Sequence, residues 1–502
     1  MNKLLKIMLA AGLIVMFQSC DSILEDPEPS TALSQELVLG DPAAVRSVRA
    51  GMMGRLHSFT FTTRNMLGPD ALADNLWTRQ GASRFQSLNT NEFAAGMADG
   101  TTYENVYSLV NEANLIIEAV EDGIFPDPLE LVQFQGEAYF LRAYAFHNLV
   151  KALANDPRAI PTAGLRAGWD RGIIIRTNPT LTIIDADDRA RNSVEEVYQQ
   201  MESDLLNSIS LLSQREGPNR FFVQRAAAEA LLARVYLFWE RWEDANTFAQ
   251  RALDNTSAVL TSGDDVANIW VPNNPEGIFI TLIDPATESQ GVNNSLAVYT
   301  STQWTAQVPT QDLIDLYEED DLRIKLTGDP DAPPSSLQLG WYGPCFDDAR
   351  GQNFVAECSL PPGAGLEIQK YTSFGNTQFA DNVPLLRTAE MVLIQAEARL
   401  KSQGVAAGIN RLNLLRESRG LAPLDPANFT EASALDEILD ERRRELTAEG
   451  HRFYDLRRNR RDIRKPPGSG FSDIPFTDFK YLDNVPFAEV ETNELLEQNP
   501  GY

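Results

Sequence analysis

The chain has 502 residues, 43% of them hydrophobic and 9% aromatic, enough apolar material for a large buried core. Its 71 acidic side chains outnumber 43 basic ones, and the net charge of −28 excludes nucleic acid and anionic lipid as expected partners. Such a surface serves solubility, or life in a saline habitat where screening weakens like-charge repulsion.

Lys3 and Lys6 precede an apolar run over 9–17, and Ser19 stands just before Cys20. A charged start, an apolar stretch too short to span a bilayer and a small residue at the cleavage point make an export signal over 1–19. A cysteine at that point is what lipoprotein processing needs. Its thiol takes a diacylglyceryl group, its freed amine takes a further chain, and several chains anchor far more firmly than one. The plainer alternative is a secretory signal with an incidental cysteine. Residues 20–40, acidic and Pro-containing, then read as a lipid-anchored tether. No later stretch has the length and apolarity to cross a membrane.

From 41 to 256 the text is helical. Tyr103, Val106, Tyr107, Val110, Ala113, Asn114, Ile117 and Val120 recur at helical spacing, and a second helix follows Phe-Pro-Asp-Pro at 125–128, with Phe134, Ala138, Leu141, Ala145 and Leu149 on one face. Ser193 and Glu196 form a capping-box pattern opening a third, buried through Val194, Val197, Met201, Leu205 and Leu212. In the block 226–255, Ala233, Tyr236, Ala245 and Ala252 fall at the small, aromatic, small and small positions of a tetratricopeptide repeat. Small residues let two helices approach closely while the tyrosine fills the groove between hairpins. The large residue expected near Glu229 is missing, so the repeat is degenerate. Trp239 and Trp242 belong to packing.

Between 257 and 385 the helical period lapses into Pro, Gly, Asn and Asp, a stretch too long for a plain connection. It predicts an irregular subdomain with a few short strands, such as 277–282. Cys345 and Cys358 lie within it; in an oxidising compartment they read as a disulfide worth roughly 3 kcal/mol, with two free buried thiols as the alternative. From 386 to 502 helices return, with a pair over about 386–401 and 405–419 and a further helix from about 434 to 448, stopped by Gly450. The fold class is mostly α: tetratricopeptide-like hairpins forming a curved scaffold, with a loop-rich subdomain.

Catalytic signatures are thin. His57, His147 and His451 have no metal-site spacing, and neither a phosphate-cradling loop nor a Gly-x-Ser-x-Gly elbow occurs. Carboxylate pairs abound without one standing out. The basic cluster ERRRELTAEGHRFYDLRRNRRDIRK at 441–465 is interleaved with Glu441, Glu445, Glu449, Asp455 and Asp462, which predicts a structural ion-pair network, with Arg443 and Arg444 finding partners in Glu441 and Glu445.

The segments ERRRELTAEGHRFYDLRR (441–458), RTAEMVLIQAEAR (387–399), NVPFAEVETNELLEQNPGY (484–502), GEAYFLRAYAFHNLV (136–150), AAAEALLARVYLFW (226–239) and PTQDLIDLYEEDDLR (309–323) resemble the SusD/RagB nutrient-binding outer-membrane lipoproteins, in family order over nearly the whole chain. One departure is Ala-Asn-Asp-Pro-Arg at 154–158, where the family often has a Phe-Gly-Asp-x-Pro-like turn. The resemblance implies a lipid-anchored protein on the cell exterior that captures oligosaccharides or peptides for a SusC-type TonB-dependent transporter, without cofactor or obligatory metal. Asp21, Glu25 and Asp26 resemble the family's surface-export signal. A surface glycoside hydrolase and a protein-assembly scaffold are the alternatives.

The family's ligand residues vary between members, so none transfers by motif. Sugar recognition wants aromatic faces with amides, carboxylates or arginine nearby. That selects Asp74, Asn75, Trp77 and Arg79, in a polar segment expected to be non-helical, and Trp304, Trp341 and Tyr342 in the variable region.

Overall fold

The computed structural model describes residues 40–502 apart from 79–83, 91–95, 119–124, 181–186, 214–218, 285, 301–306, 325–338, 342–365, 369, 372–378, 467–468 and 470. Cys20, Arg79, Trp304, Tyr342, Cys345 and Cys358 therefore lie outside the described residues.

Helix α1 (Pro42–Arg55) is followed by a turn of π-helix at Thr60–Arg64 that runs into α2 (Asn65–Leu72). The long pair α3 (Gly100–Glu118) and α4 (Pro128–Leu153) comes next. Asp127 caps α4 by accepting from the Leu129 amide, and Pro128 takes the first position, where its missing N–H costs nothing. Ser193 and Glu196 make the expected reciprocal cap on α5 (Val194–Leu212). The hairpin α6 (Arg225–Phe238) and α7 (Trp242–Asn255) is the degenerate repeat.

Within that hairpin Ala233, Ala245 and Ala252 are fully buried, which lets the helices approach closely. The Tyr236 ring is buried and its hydroxyl donates to Glu202 on α5, filling the groove between hairpins. Glu229 takes the place of a large apolar residue because it is paired: it accepts from Arg225 at 3.0 Å and from the Asn255 amide at 2.7 Å. Trp239 is buried and Trp242 packs at the core's edge, as expected of packing residues.

The C-terminal part adds α8 (Thr388–Gln403), α9 (Val405–Ser418), α10 (Glu431–Glu445) and α11 (Arg452–Arg458). Helix α7 packs on α8, so the two helical stretches share one body. Helix α10 starts at the Thr430 cap and ends at Glu445, earlier at both ends than the periodicity predicts. Gly450 closes the turn that follows rather than the helix. Its φ is +81°, and an added Cβ would collide with the Asn65 carbonyl oxygen.

Among the described residues, six short strands form three antiparallel two-stranded ribbons: β1 (Leu76–Thr78), β2 (Gly277–Ile280), β3 (Gln307–Pro309), β4 (Leu339–Trp341), β5 (Leu366–Ile368) and β6 (Pro384–Arg387), paired β1–β3, β2–β6 and β4–β5. Trp341 ends β4, opposite Leu366.

The basic cluster is largely interior: Arg442, Arg443, Arg444, Arg457, Arg458 and Lys465 are buried, while Arg460, Arg461 and Arg464 are exposed. Arg323, Arg387 and Arg419, each at most 2% exposed, converge on Glu445 at 3.0–3.1 Å. Arg387 and Arg419 also share Glu276. Burial alone would raise the Glu445 pKa, but Arg419, Arg387 and Arg323 outweigh it and hold the carboxyl well below its usual range. Arg444 pairs with Glu441 at 2.7 Å as expected. Arg443 does not use Glu445: it donates to Asn75 and to the Asp74 carbonyl. At the departure from the family turn, Asp156 receives both Nε and Nη2 of Arg457 at 2.9 Å, and Asn155 accepts from buried Arg166.

Candidate functional site

The segment 71–85 divides between structures. Ala71 and Leu72 end α2, Asp74 and Asn75 turn the chain, and Leu76–Thr78 form β1, so the segment is non-helical as expected from Ala73 to Thr78 and helical only at its first two residues. The turn is fixed from inside. Asp74 receives Nε and Nη2 of Arg452 at 2.7 and 2.8 Å. Burial raises its pKa less than Arg443 and Arg452 lower it, leaving the carboxyl well below its usual range. Asn75 donates to Asp70 at 2.6 Å and accepts from Arg443 at 2.6 Å. With exposures of 7% and 1%, Asp74 and Asn75 hold the site's foundation and do not present polar groups at its surface. The sequence expectation grouped them with Trp77 as contacts; the structure separates them, because the neighbouring arginines come from α10 and α11, far along the chain.

The ribbon above that turn is held at both ends. Thr310 donates through its hydroxyl to the Asp74 carbonyl and through its amide to the Asn75 carbonyl. Asn89, 1% exposed, accepts from the Thr78 amide and hydroxyl and donates to the Ala71 and Leu76 carbonyls. Gln307 on β3 donates to the Thr78 hydroxyl at 2.7 Å and the Arg84 carbonyl at 3.0 Å. Lys465 ties the Leu72 and Asn89 carbonyls together, and burial lowers its pKa to about 7.

This clamp presents Trp77. Its neighbours Leu76 and Thr78 are buried while Trp77 is half-buried, the alternation of a strand with one solvent face. Its ring centroid lies 6.0 Å from Phe471, which is 46% exposed. Beside the ribbon, Phe85 and Tyr299 have ring centroids 4.8 Å apart, and Phe59 joins them at 5.8–6.0 Å. The Arg84 guanidinium lies 5.4 Å from the Tyr299 ring centre and that of Arg64 5.4 Å from Phe59. Phe85 holds φ = +60°, a conformation a bulky residue adopts only where surrounding structure imposes it.

Sequence reasoning missed Phe59, Arg84, Phe85, Tyr299 and Phe471. Arg84 and Phe85 are the last two residues of the 71–85 segment. Phe59, Tyr299 and Phe471 are scattered over more than 400 positions and carry no local signal. What the site offers chemically is the half-buried rings of Trp77, Phe59 and Phe85 and the exposed ring of Phe471 on a rigid mount, suited to non-covalent recognition of a partly apolar, hydroxyl-bearing ligand.

A helical-hairpin scaffold that presents an aromatic platform from a short ribbon defines a class of binding proteins, and the comparisons give it a family. The SusD family model matches residues 365–502, and a related model described as "starch-binding associating with outer membrane" matches residues 31–237. The chain is 25% identical to SusD-like protein P38 of Formosa agariphila, over 97% of this chain and 96% of that protein. Among solved structures, a SusD superfamily protein from Bacteroides thetaiotaomicron superposes with a TM-score of 0.75 at 22% identity, covering 92% of this chain and all of the other. A SusD-like carbohydrate-binding protein from Bacteroides vulgatus superposes with a TM-score of 0.71 at 20% identity, covering 91% and 97%. The chain belongs to the SusD/RagB family.

Proposed function

We propose that this protein is a lipid-anchored glycan-capture protein of the outer membrane, facing the cell exterior, that hands oligosaccharides to a SusC-type TonB-dependent transporter. The observation that carries the reading is Trp77, half-buried on a ribbon clamped by Asn89, Thr310 and the Asp74–Arg452 pair. A rigid mount limits the freedom the ring loses on binding, so more of the stacking energy appears as affinity. Family membership supports the ligand class, and the bacterial relatives named as carbohydrate-binding support it further. Peptides are the other ligand class the family reading admits. Among the described residues no helix is long and apolar enough to cross a membrane, and Cys20 is the proposed anchor.

Recognition is proposed to proceed without covalent chemistry. The test is calorimetry and retention on a panel of polysaccharides and their oligosaccharides, with reducing ends assayed in the same samples. Saturable binding with no release of reducing ends is the expected result. Release of reducing ends by the pure protein would favour a surface glycoside hydrolase instead. Labelled palmitate on the parent but not on Cys20→Ala, and co-purification of a β-barrel transporter from membranes, are the expected results for the anchor and the partner.

A further inference from the structure

A concavity of about 350 Å³, within the range of small-molecule sites, opens between the C-terminal half of α1, the Phe221–Phe222 turn and the segment leaving β2. The chain itself joins it to the aromatic platform. His57 lines the concavity, and Phe59, two residues on, packs against Phe85 and Tyr299 beside the Trp77 ribbon. Two residues span at most about 7 Å. Gln290 pins this turn, donating to the His57 carbonyl at 2.7 Å and to the Thr62 hydroxyl at 3.3 Å.

The lining mixes apolar rings with unspent donors and acceptors. Phe221 and Phe222 are half-buried. The Arg49 guanidinium, fixed on buried Glu137 by contacts of 2.5 and 2.8 Å, lies 4.7 Å from the Phe222 ring centre and holds that ring as a wall. Thr281, 2% exposed, accepts from the Val383 amide at 2.9 Å, but its own O–H is donated to no acceptor among the described residues. A hydroxyl this buried nearly always donates, so one lining a cavity marks a place for an acceptor. Burial lowers the His57 pKa, and the neutral ring carries one donor and one acceptor nitrogen. Neither is hydrogen-bonded among the described residues, with Glu288 3.9 Å from Nδ1. Asp284 and Glu288 accept from groups of their own turn, and each carboxylate keeps lone pairs for further donors.

Resting on the glycan-capture reading, we infer that this cleft is a second sugar subsite, holding a further residue of the glycan that the platform captures. A sugar ring has an apolar C–H face and hydroxyls that donate and accept at once. The face would lie on Phe221 and Phe222. One hydroxyl would accept from Thr281, and others would meet the His57 nitrogens and donate to the rim carboxylates. A body without hydroxyls would leave those donors unmet. A glycan long enough to engage both places makes its second contact at the effective concentration set by the first, so the two subsites reinforce each other.

The test is saturation-transfer NMR on the purified full chain with methyl β-glucoside, methyl β-galactoside, methyl α-mannoside and methyl β-xyloside at millimolar concentration. At least one of the four is expected to bind Trp77→Ala, in which the platform has lost its indole. Adding Gly54→Leu or Phe221→Ala to that variant should abolish the signal with the melting curve unchanged. Gly54 lines the cleft, and a Cβ built on it meets nothing within 4 Å, so a leucine there extends into open space without displacing the core. Phe221→Ala removes a ring face and guards against a leucine that turns aside. Silence of all four glycosides on Trp77→Ala overturns the inference, as does a signal that survives in both double variants. Should the parent bind a glycoside and Trp77→Ala bind none, glycan capture stands and the cleft is no subsite. Should the parent bind neither these glycosides nor any member of the polysaccharide panel, the capture reading itself fails, so the two failures are distinguishable.

Discussion

Two neighbourhoods of this molecule are built from arginines beside aromatic rings, and they do opposite things with them. Around Glu445 the guanidiniums of Arg323, Arg387 and Arg419 are at most 2% exposed, and Arg387 lies 5.0 Å from the Trp270 ring centre. Around β1, Phe59, Phe85 and Trp77 are half-buried, with Arg64 and Arg84 at their edges. In the first case every charge is consumed by another part of the chain. In the second, Asp74, Arg443 and Arg452 pair one layer beneath the rings, and Arg64 beside Phe59 is itself paired with Asp99. Burial, not residue type, decides which cluster supports the fold and which is available to a ligand.

The comparison breaks most severely if the inner cluster is not structural. Arg419→Ala removes the guanidinium shared by Glu276 and Glu445, leaving two buried carboxylates short of a partner. Loss of one member of a buried ion-pair network costs about 3–5 kcal/mol, so a sharply lowered denaturation midpoint is expected, with the surviving folded fraction binding glycan as the parent does. A variant that melts like the parent and loses ligand would move this cluster into the binding site.

Asp70, beneath the ribbon, gives a pH-dependent version of the same test. Burial pushes its carboxyl up to about 7, against the opposing hydrogen bond from Asn75. A carboxyl raised above its unfolded value contributes most stability below about pH 4 and loses that contribution as pH rises towards 7. The slope from this one group is at most about 1.4 kcal/mol per pH unit. Asp70→Asn keeps an oxygen for Asn75 and removes the titration, so its stability relative to the parent should increase from pH 4 to pH 7. Parallel stability curves would show Asp70 ionised throughout. Lys465, lowered to about 7, acts in the window above: its neutral form is favoured in the folded state, so its contribution falls as pH drops from about 10.5 towards 7.

On the outer side, Trp77→Ala should cost about 2 kcal/mol of binding, some thirtyfold in affinity for the captured oligosaccharide. The ribbon under it is held by backbone pairing and by Asn89, Gln307 and Thr310, so the melting curve should stay close to the parent's. Calorimetry paired with a thermal melt separates the two outcomes; unchanged affinity would place the ligand elsewhere.

Local signals in the sequence located the helical hairpins well. Capping at Ser193, Pro128 after Asp127, and the small residues at 233, 245 and 252 act within a few positions of themselves, so their effects are readable in order along the chain. The basic block at 441–465 was legible as a network because its acids are interleaved with it. Its long-range partners were not: Glu276, Arg323 and Arg387 sit 58–169 positions from Glu445 and give no periodic sign of meeting there. The same limit applies to the site. Asp74 and Asn75 look like ligand residues in sequence because polar side chains beside a tryptophan suggest a surface. Only the approach of α10 and α11 turns them inward. Phe471 and Tyr299 reach Trp77 and Phe85 through tertiary packing alone.

Phe471 offers the smallest and sharpest test of where the platform ends. It is 46% exposed, and its ring lies 6.0 Å from Trp77 at an interplanar angle of 52°, so little of the core depends on it. Two roles are open to such a ring: a brace that holds the Trp77 indole in its orientation, or a second face touching the ligand. An aromatic pair of this kind is worth about 0.5–1.5 kcal/mol, so Phe471→Ala should weaken oligosaccharide binding roughly fivefold without moving the melting curve. The double variant with Trp77→Ala distinguishes the roles. If Phe471 only braces Trp77, its removal costs nothing further once the indole is gone; if it touches the ligand itself, the two losses add. Full affinity in Phe471→Ala would confine the platform to Trp77 and the half-buried rings of Phe59 and Phe85.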